Sequence, residues 1–193
     1  MFTARQITRH TMTAFGVAPS VEPKILLSPG GEEGLPSLNL IECDNIPQSG
    51  VTSYATIGMS QYTNLSTGGG KNLGVELLAA AGSNWKVIQS GLIGSALNIA
   101  SGKHSIWPDT IFPDVMSGFD QAVSVPHALF VLPFLWNDIE DLESDDLVIT
   151  WLMMVPVSDQ EFLFAELNGV QALNARLLEA QPDVFNLMRP SVI

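Results

Sequence analysis

The stretch that decides the fold is PHALFVLPFLWNDIEDLESDDLVITWLMMVPV, residues 126–157. It contains two 11-residue apolar runs, 126–136 and Leu147–Val157, on either side of a short acidic segment. Neither run alternates between apolar and polar residues, so strands formed by them would have both faces covered, as in the interior of a sheet. We therefore expect Leu147–Val157 to lie inside the sheet and to pair antiparallel with residues 127–133.

A helix pair is predicted directly after the second run. Ser158 can accept a hydrogen bond from the amide of Glu161, whose carboxylate can reach back to the Ser158 amide, as in a capping box. We expect a helix over Asp159–Asn168 that ends at Gly169, and a second helix over Val170–Ala180 with Leu173 and Leu177 facing inward.

The rest of the chain adds strands and helices that do not alternate strictly. Hydrophobic patterns predict strands over residues 21–27, 37–43 and 51–59 and helices over residues 2–15 and 85–100, while residues 75–81 suit either. Residues 28–34 are a turn-rich connector, and residues 101–120 an irregular crossing. The order of elements predicts an α+β fold, with a mixed, largely antiparallel sheet of about five or six strands flanked by three or four helices.

The composition restricts the class of protein and of partner. The chain has 193 residues, with 20 acids, 8 bases and a net charge of -12. This length suits a single domain over residues 1–193, and the charge argues against nucleic acid or membrane partners, which require clustered Lys and Arg. The single cysteine, Cys43, is interpreted as a structural strand residue, with a reactive thiol as the alternative. The first 15 residues lack a signal-peptide pattern, so a cytoplasmic location is expected.

No catalytic or cofactor-binding constellation is evident. Residues 67–71, TGGGK, lack the first glycine and the Ser or Thr after the lysine that a phosphate-binding loop requires. The three histidines, His10, His104 and His127, lie far apart in sequence, and the cysteine and histidine spacings of zinc sites are missing. We therefore expect no catalytic residue, no cofactor and no metal site.

The acidic segment at residues 137–146, called here the acidic connection, stands out most from the rest of the chain. Three interpretations remain open: a solvated loop that keeps two apolar strands soluble, a docking surface for a basic protein, and a divalent-cation site. An EF-hand loop does not fit, because the central glycine and the final glutamate are missing. The candidate partner-binding residues are Asp138, Glu140, Asp141, Glu143, Asp145 and Asp146.

Two groups of residues resemble the suppressor of fused-like family. The upstream group consists of residues 56–60 (TIGMS), residues 76–78 (ELL), Trp85 and Leu92. The tail group is an apolar strand closing on Val-Pro-hydrophobic, then Glu, Gly, Leu and a terminal Arg near a Ser, here Val155, Pro156, Val157, Glu161, Gly169, Leu173, Arg189 and Ser191. Together the two groups cover about residues 38–191, and the resemblance implies that residues 75–81 form a strand.

The resemblance implies a function that the residues alone do not. Animal members of this family bind and restrain a transcription factor, and small bacterial members are regarded as immunity or antitoxin proteins encoded beside secreted toxins. The expectation is a non-enzymatic bacterial protein that binds another protein and neutralises it, with a basic toxin domain as one candidate partner. Two alternatives remain: a regulatory scaffold, and an enzyme or small-molecule-binding domain whose 104–114 loop lines a pocket with Trp107 and Phe112.

Overall fold

Four helices and nine strands are present in the part of the chain that the computed structural model describes, residues 2–27, 38–63, 65–136 and 138–193. The predicted connector at residues 28–34 lies outside these residues. The helices are α1 (Ala4–Ala14), α2 (Val87–Ala100), α3 (Asp159–Asn168) and α4 (Val170–Ala180). The strands are β1 (Lys24–Leu27), β2 (Asn39–Asp44), β3 (Val51–Ile57), β4 (Leu65–Ser66), β5 (Asn72–Gly82), β6 (Thr110–Phe112), β7 (His127–Val131), β8 (Leu142–Glu143) and β9 (Leu147–Val157). A short 3-10 turn, Met59–Gln61, follows β3.

The described strands form one mixed sheet. Its order is β1-β2-β3-β5-β9-β7-β6, with β4 beside β5 and β8 beside β9. Among the described strands, β5 and β9 pair in parallel and the other pairs are antiparallel. The predicted α+β class with a largely antiparallel sheet is confirmed. The strand count is higher than predicted because β4, β6 and β8 span only two or three residues, too few for a periodic pattern to reveal.

The apolar run Leu147–Val157 lies inside the sheet, as predicted. It pairs with β5 on one side and antiparallel with β7 on the other, where His127 is the partner of Val157. The first apolar run leaves the sheet earlier than expected, at Val131, and the side chains of Leu132 and Phe134 are 64% and 60% exposed. Pro133 lies between them, and a proline has no amide proton to donate to a strand ladder.

Helix α2 covers one face of the sheet. Its buried side chains, among them Ile88, Leu92 and Ala96, pack in one cluster with Leu77 and Ala79 of β5. Residues 75–81 therefore form a strand, as the family resemblance implied, and α2 packs against it. The predicted irregular crossing after α2 contains the short edge strand β6, which pairs with β7.

The opposite face of the sheet is covered by α1, α3 and α4. Ile7 and Met12 of α1, Ala165 of α3 and Leu173 of α4 share a second cluster with Trp151 of β9. The predicted helices at both ends of the chain are thus confirmed, and Gly169 separates α3 from α4 with a φ of 88°. In the described ranges, none of the helices has the length and apolar character required to span a bilayer.

Candidate functional site

The acidic connection is held against the edge of the core by its apolar residues. Ile139 and Leu142 are partly buried and pack on the second cluster, and β8 within the connection pairs with Val148 and Ile149 of β9. Its acidic residues point the other way. All six candidate partner-binding residues are exposed: Asp138, Glu140, Asp141, Glu143, Asp145 and Asp146.

Four polar contacts, made by three residues, fix the path of the acidic connection. His10 Nε2 lies 2.6 Å from the carbonyl oxygen of Glu140. Lys71 Nζ donates to the Glu143 carboxylate at 2.6 Å and to the Ser144 carbonyl at 3.0 Å. The Asn72 amide donates to the Asp146 carbonyl at 3.0 Å. The connection is therefore tied to α1 and to the start of β5 through its backbone and through the side chain of Glu143.

One of the six carboxylates is already paired. The hydrogen bond and the charge of Lys71 hold the pKa of Glu143 below its usual value. Across the described residues, the other five carboxylates have no ion-pair partner within 4.0 Å. These same residues contain no group of three or more His, Cys, Asp or Glu side chains arranged to hold a metal ion. The acidic connection thus presents net negative charge on a fixed backbone.

A groove of about 730 Å³ lies beside the acidic connection, and we call it the β5–β9 groove because it opens at the first residues of these strands. Phe2 contributes to it just before α1 begins. The other lining residues are Ser60, Gln61 and Thr63 in and after the 3-10 turn, Leu65 and Ser66 in β4, Asn72 in β5, Ser144 and Asp146 in the connection, and Leu147 and Ile149 in β9.

The 104–114 loop does not form the pocket expected for an enzyme or a small-molecule-binding domain. Phe112 is buried in the first cluster, whereas Trp107 is 46% exposed. A cavity of about 200 Å³ does adjoin this loop, but the loop residues that line it are His104, Ser105 and Ile106, together with residues outside the loop. Neither of the two aromatic side chains lines it, because the edge strand β6 carries Phe112 into the core.

Glu161 and Arg189 form a buried ion pair that no local sequence pattern predicted. The predicted capping box is present. The Glu161 carboxylate accepts from the Ser158 amide at 2.8 Å, and Ser158 Oγ accepts from the Glu161 amide at 3.2 Å. In addition, Arg189 donates to both Glu161 oxygens at 2.7 Å and to the Pro156 carbonyl at 2.9 Å. Ser158 also donates to Ser191 at 3.0 Å. The four polar side chains join the end of β9, the start of α3 and the last residues of the chain.

Glu76 is a second buried carboxylate, and it shapes the turn beside the groove. Burial raises the pKa of Glu76, and hydrogen bonds from Thr56, Ser60 and the Gly58 amide oppose that shift. Gly58 has a φ of 101°, which favours glycine. Five donors converge on the carboxylate at 2.7–3.3 Å: the hydroxyls of Thr56 and Ser60 and the amides of Gly58, Met59 and Ser60.

The histidines and the cysteine occupy structural positions in the described chain. His127 accepts from the Asp114 amide at Nδ1, at 2.9 Å, so its proton lies on Nε2, which is 2.9 Å from Asp159. His104 packs on the ring of Phe112. Cys43 is buried in β2, where burial raises the pKa of its thiol to about 11. A neutral, buried thiol agrees with the structural interpretation of Cys43.

We expect replacement of Ser158 by alanine to lower the free energy of unfolding by about 1 kcal/mol, because it removes the acceptor that caps α3. Ser20→Ala is a suitable control, since Ser20 is exposed. Urea denaturation of both variants measures the difference. Equal midpoints for wild type and Ser158→Ala would show that the hydroxyl does not stabilise the start of α3.

Comparisons with known proteins agree with this architecture. The family described as Suppressor of fused protein (SUFU) matches residues 34–190. The chain is 34% identical over 188 residues to the protein named Immunity protein YqcF from Bacillus subtilis (strain 168), covering 97% of this chain and 95% of that protein.

Two solved structures show the same fold at low sequence identity. A putative SUFU homolog from Neisseria gonorrhoeae FA 1090 has a TM-score of 0.75 at 15% identity, covering 98% of this chain and 96% of the other. A chain of the Sufu-Fu complex has a TM-score of 0.68 at 12% identity, covering 98% and 91%. Several of the residues that carried the resemblance in sequence form the two buried carboxylate networks, around Glu76 and around Glu161 with Arg189. The chain belongs to the suppressor of fused protein family.

Proposed function

We propose that this protein is an immunity protein, which binds a cognate bacterial toxin in the cytoplasm and neutralises it without catalysing a reaction. The observation that carries the proposal is the identity of 34% over 97% of the chain to a protein named as an immunity protein. The buried positions of Cys43 and His127 and the occupied hydrogen-bonding groups of Glu76 and Glu161 support a role in binding rather than chemistry.

The acidic connection is the surface that we propose for attracting this partner. Its carboxylates are exposed, and its backbone is fixed by β8 and by contacts from His10 and Lys71. With a net charge of -12, the protein as a whole favours a basic partner, and a fixed row of like charges steers such a partner during approach. A basic toxin domain fits this description.

Co-expression tests the proposed role directly. The toxin domain encoded by a neighbouring gene is produced in a host, with and without this protein, and growth is measured. We expect growth only in the presence of this protein, and we expect His104→Ala to rescue as well as wild type. Continued growth arrest with wild type would contradict the immunity role. Loss of rescue in a folded His104→Ala variant would instead support an enzyme.

Neutralising four carboxylates of the acidic connection should slow association with the toxin. For Asp138→Asn, Glu140→Gln, Asp141→Asn and Asp145→Asn together, we expect an association rate about tenfold lower at low salt, with dissociation less affected. Raising the ionic strength should shrink the difference, because exposed charges are screened beyond about 8 to 10 Å. Surface plasmon resonance at several salt concentrations measures both rates.

A matched control separates local charge from net charge. The pair Asp141→Asn and Asp145→Asn changes the net charge by the same amount as Asp120→Asn with Glu166→Gln, and all four residues are exposed. We expect only the first pair to slow association. Equal rates for the two pairs would mean that the acidic connection does not steer the partner and serves only to keep the neighbouring strands soluble.

A further inference from the structure

We propose that the β5–β9 groove holds an extended segment of the partner that carries a Lys or Arg side chain, which pairs with Asp146. This inference rests on the proposed function, because it names the part of the surface on which the toxin is held. It differs from the steering role of the acidic connection, since a groove contact acts after the two proteins have met and slows their dissociation.

The groove lies at the end of the sheet face that α1 covers, where Leu147 is partly buried and Ile149 beneath it is buried. Successive side chains of a strand point to opposite faces of the sheet. Every second residue at the start of β9, namely Leu147, Ile149 and Trp151, therefore lies on the same face. Trp151 is covered by α1, where its ring lies 5.1 Å from that of His10. Helix α1 begins only at Ala4, and the sheet face beyond its start, at Leu147 and Ile149, lines the groove together with Phe2.

The lining of the groove suits a polypeptide segment. Phe2 and Leu147 are partly buried apolar side chains that a partner side chain can cover. Gln61, Ser66 and Asn72 are exposed, and within the described residues their side chains make no hydrogen bond to the protein. Amide and hydroxyl groups both donate and accept, so they can bond the amides and carbonyls of an extended chain.

The charge of the groove selects a basic segment. Asp146 is the only charged residue that lines it in the described structure. Lys71 precedes Asn72 but is occupied by Glu143 and by the Ser144 carbonyl. A lysine or arginine of the partner would gain an ion pair at Asp146, whereas an acidic segment would be repelled by it and by Asp145. A second copy of this strongly acidic chain is disfavoured for the same reason.

The test measures binding to a catalytically inactive form of the toxin domain from the neighbouring gene. Ser66→Trp fills the groove without changing charge, and Asp146→Asn removes its charge without changing shape. Ser20→Trp and Asp120→Asn are the matched controls at exposed positions outside the groove. We expect the two groove variants to raise Kd by about tenfold each, mainly through faster dissociation, and the controls to stay within about twofold of wild type. Thermal melts confirm that all four variants fold.

The outcomes distinguish this inference from the proposed function. If wild type does not bind the toxin domain, both are wrong. If wild type binds and Ser66→Trp binds as tightly as Ser20→Trp, the partner lies elsewhere on the surface and only the groove assignment is overturned. If Ser66→Trp weakens binding but Asp146→Asn does not, the groove does not hold a basic segment paired with Asp146. That result would overturn the inference and leave the proposed function intact.

Discussion

Replacing Arg189 by methionine is expected to lower the free energy of unfolding by about 4 kcal/mol. Arg189 and Glu161 are both buried, with side chains 2% and 0% exposed, and their two bonds of 2.7 Å form a bidentate pair. Methionine fills much of the same space but leaves the Glu161 carboxylate inside the protein without a cation. An unpaired buried charge of this kind is strongly destabilising. Urea denaturation at about pH 7 measures the loss.

An exposed ion pair provides the control for this substitution. Arg176→Met removes a similar side chain from an exposed pair with Glu179, and we expect it to cost less than about 1 kcal/mol. The double variant Glu161→Gln with Arg189→Met keeps a capping side chain on α3 but removes the unpaired charge. It should recover at least half of the loss. A double variant no more stable than Arg189→Met would show that lost packing, and not the unpaired charge, dominates.

The dependence on pH gives an independent test of the same ion pair. Burial acts to raise the pKa of Glu161, but hydrogen bonds from Arg189 and from the amides of Ser158 and Val192 outweigh it, so the pKa lies below its usual value. The pair therefore stabilises wild type above about pH 4.5, and this contribution is lost as the pH falls through the lowered pKa. In Arg189→Met we expect the pKa of Glu161 to be higher than usual, because burial then acts against two amide hydrogen bonds alone, without the cation. The difference in the free energy of unfolding between wild type and Arg189→Met should thus shrink as the pH falls from about 7 to about 4.5.

The sequence predicted the long elements and the local contacts of this fold well. A continuous apolar run located β9, a helical spacing of apolar residues located α2, and the short distance between Ser158 and Glu161 revealed the capping box. It did not reveal that Glu161 also binds Arg189, because these residues are 28 positions apart and meet only once the end of the chain packs beside β9. The same limit applies to Glu76, whose donors lie 16 to 20 positions earlier, in β3 and in the turn that follows it.

The candidate binding surface was predictable only in part. The acidic residues from Asp138 to Asp146 can be recognised from the sequence alone. Their exposure cannot, because it depends on Ile139 and Leu142, which anchor the segment to the second cluster. The β5–β9 groove had no sequence signal. It is assembled from Phe2, the 3-10 turn, two strands and the acidic connection, which are brought together by the parallel pairing of β5 with β9.

Replacing Glu76 by leucine is expected to lower the free energy of unfolding by about 4 kcal/mol, because three backbone amides lose their acceptor at once. The side chain is fully buried, and each orphaned buried donor costs about 1–3 kcal/mol. Glu76→Gln is the sharper comparison. Each carboxylate oxygen accepts from at least one backbone amide, so either orientation of the glutamine places its NH2 group against an N–H. We expect it to cost about 2 kcal/mol despite its matched shape.

The Glu76 variants also connect the buried networks to binding. The turn that Glu76 holds carries Ser60 and Gln61, which line the β5–β9 groove. If the groove holds the toxin, Glu76→Gln should weaken binding at a temperature where the variant remains folded, whereas Arg176→Met should not. Unfolding curves establish the folded fraction, and calorimetric titration with the inactive toxin domain gives Kd. A destabilised Glu76→Gln variant that binds as tightly as wild type would show that this turn contributes to stability but not to the partner surface.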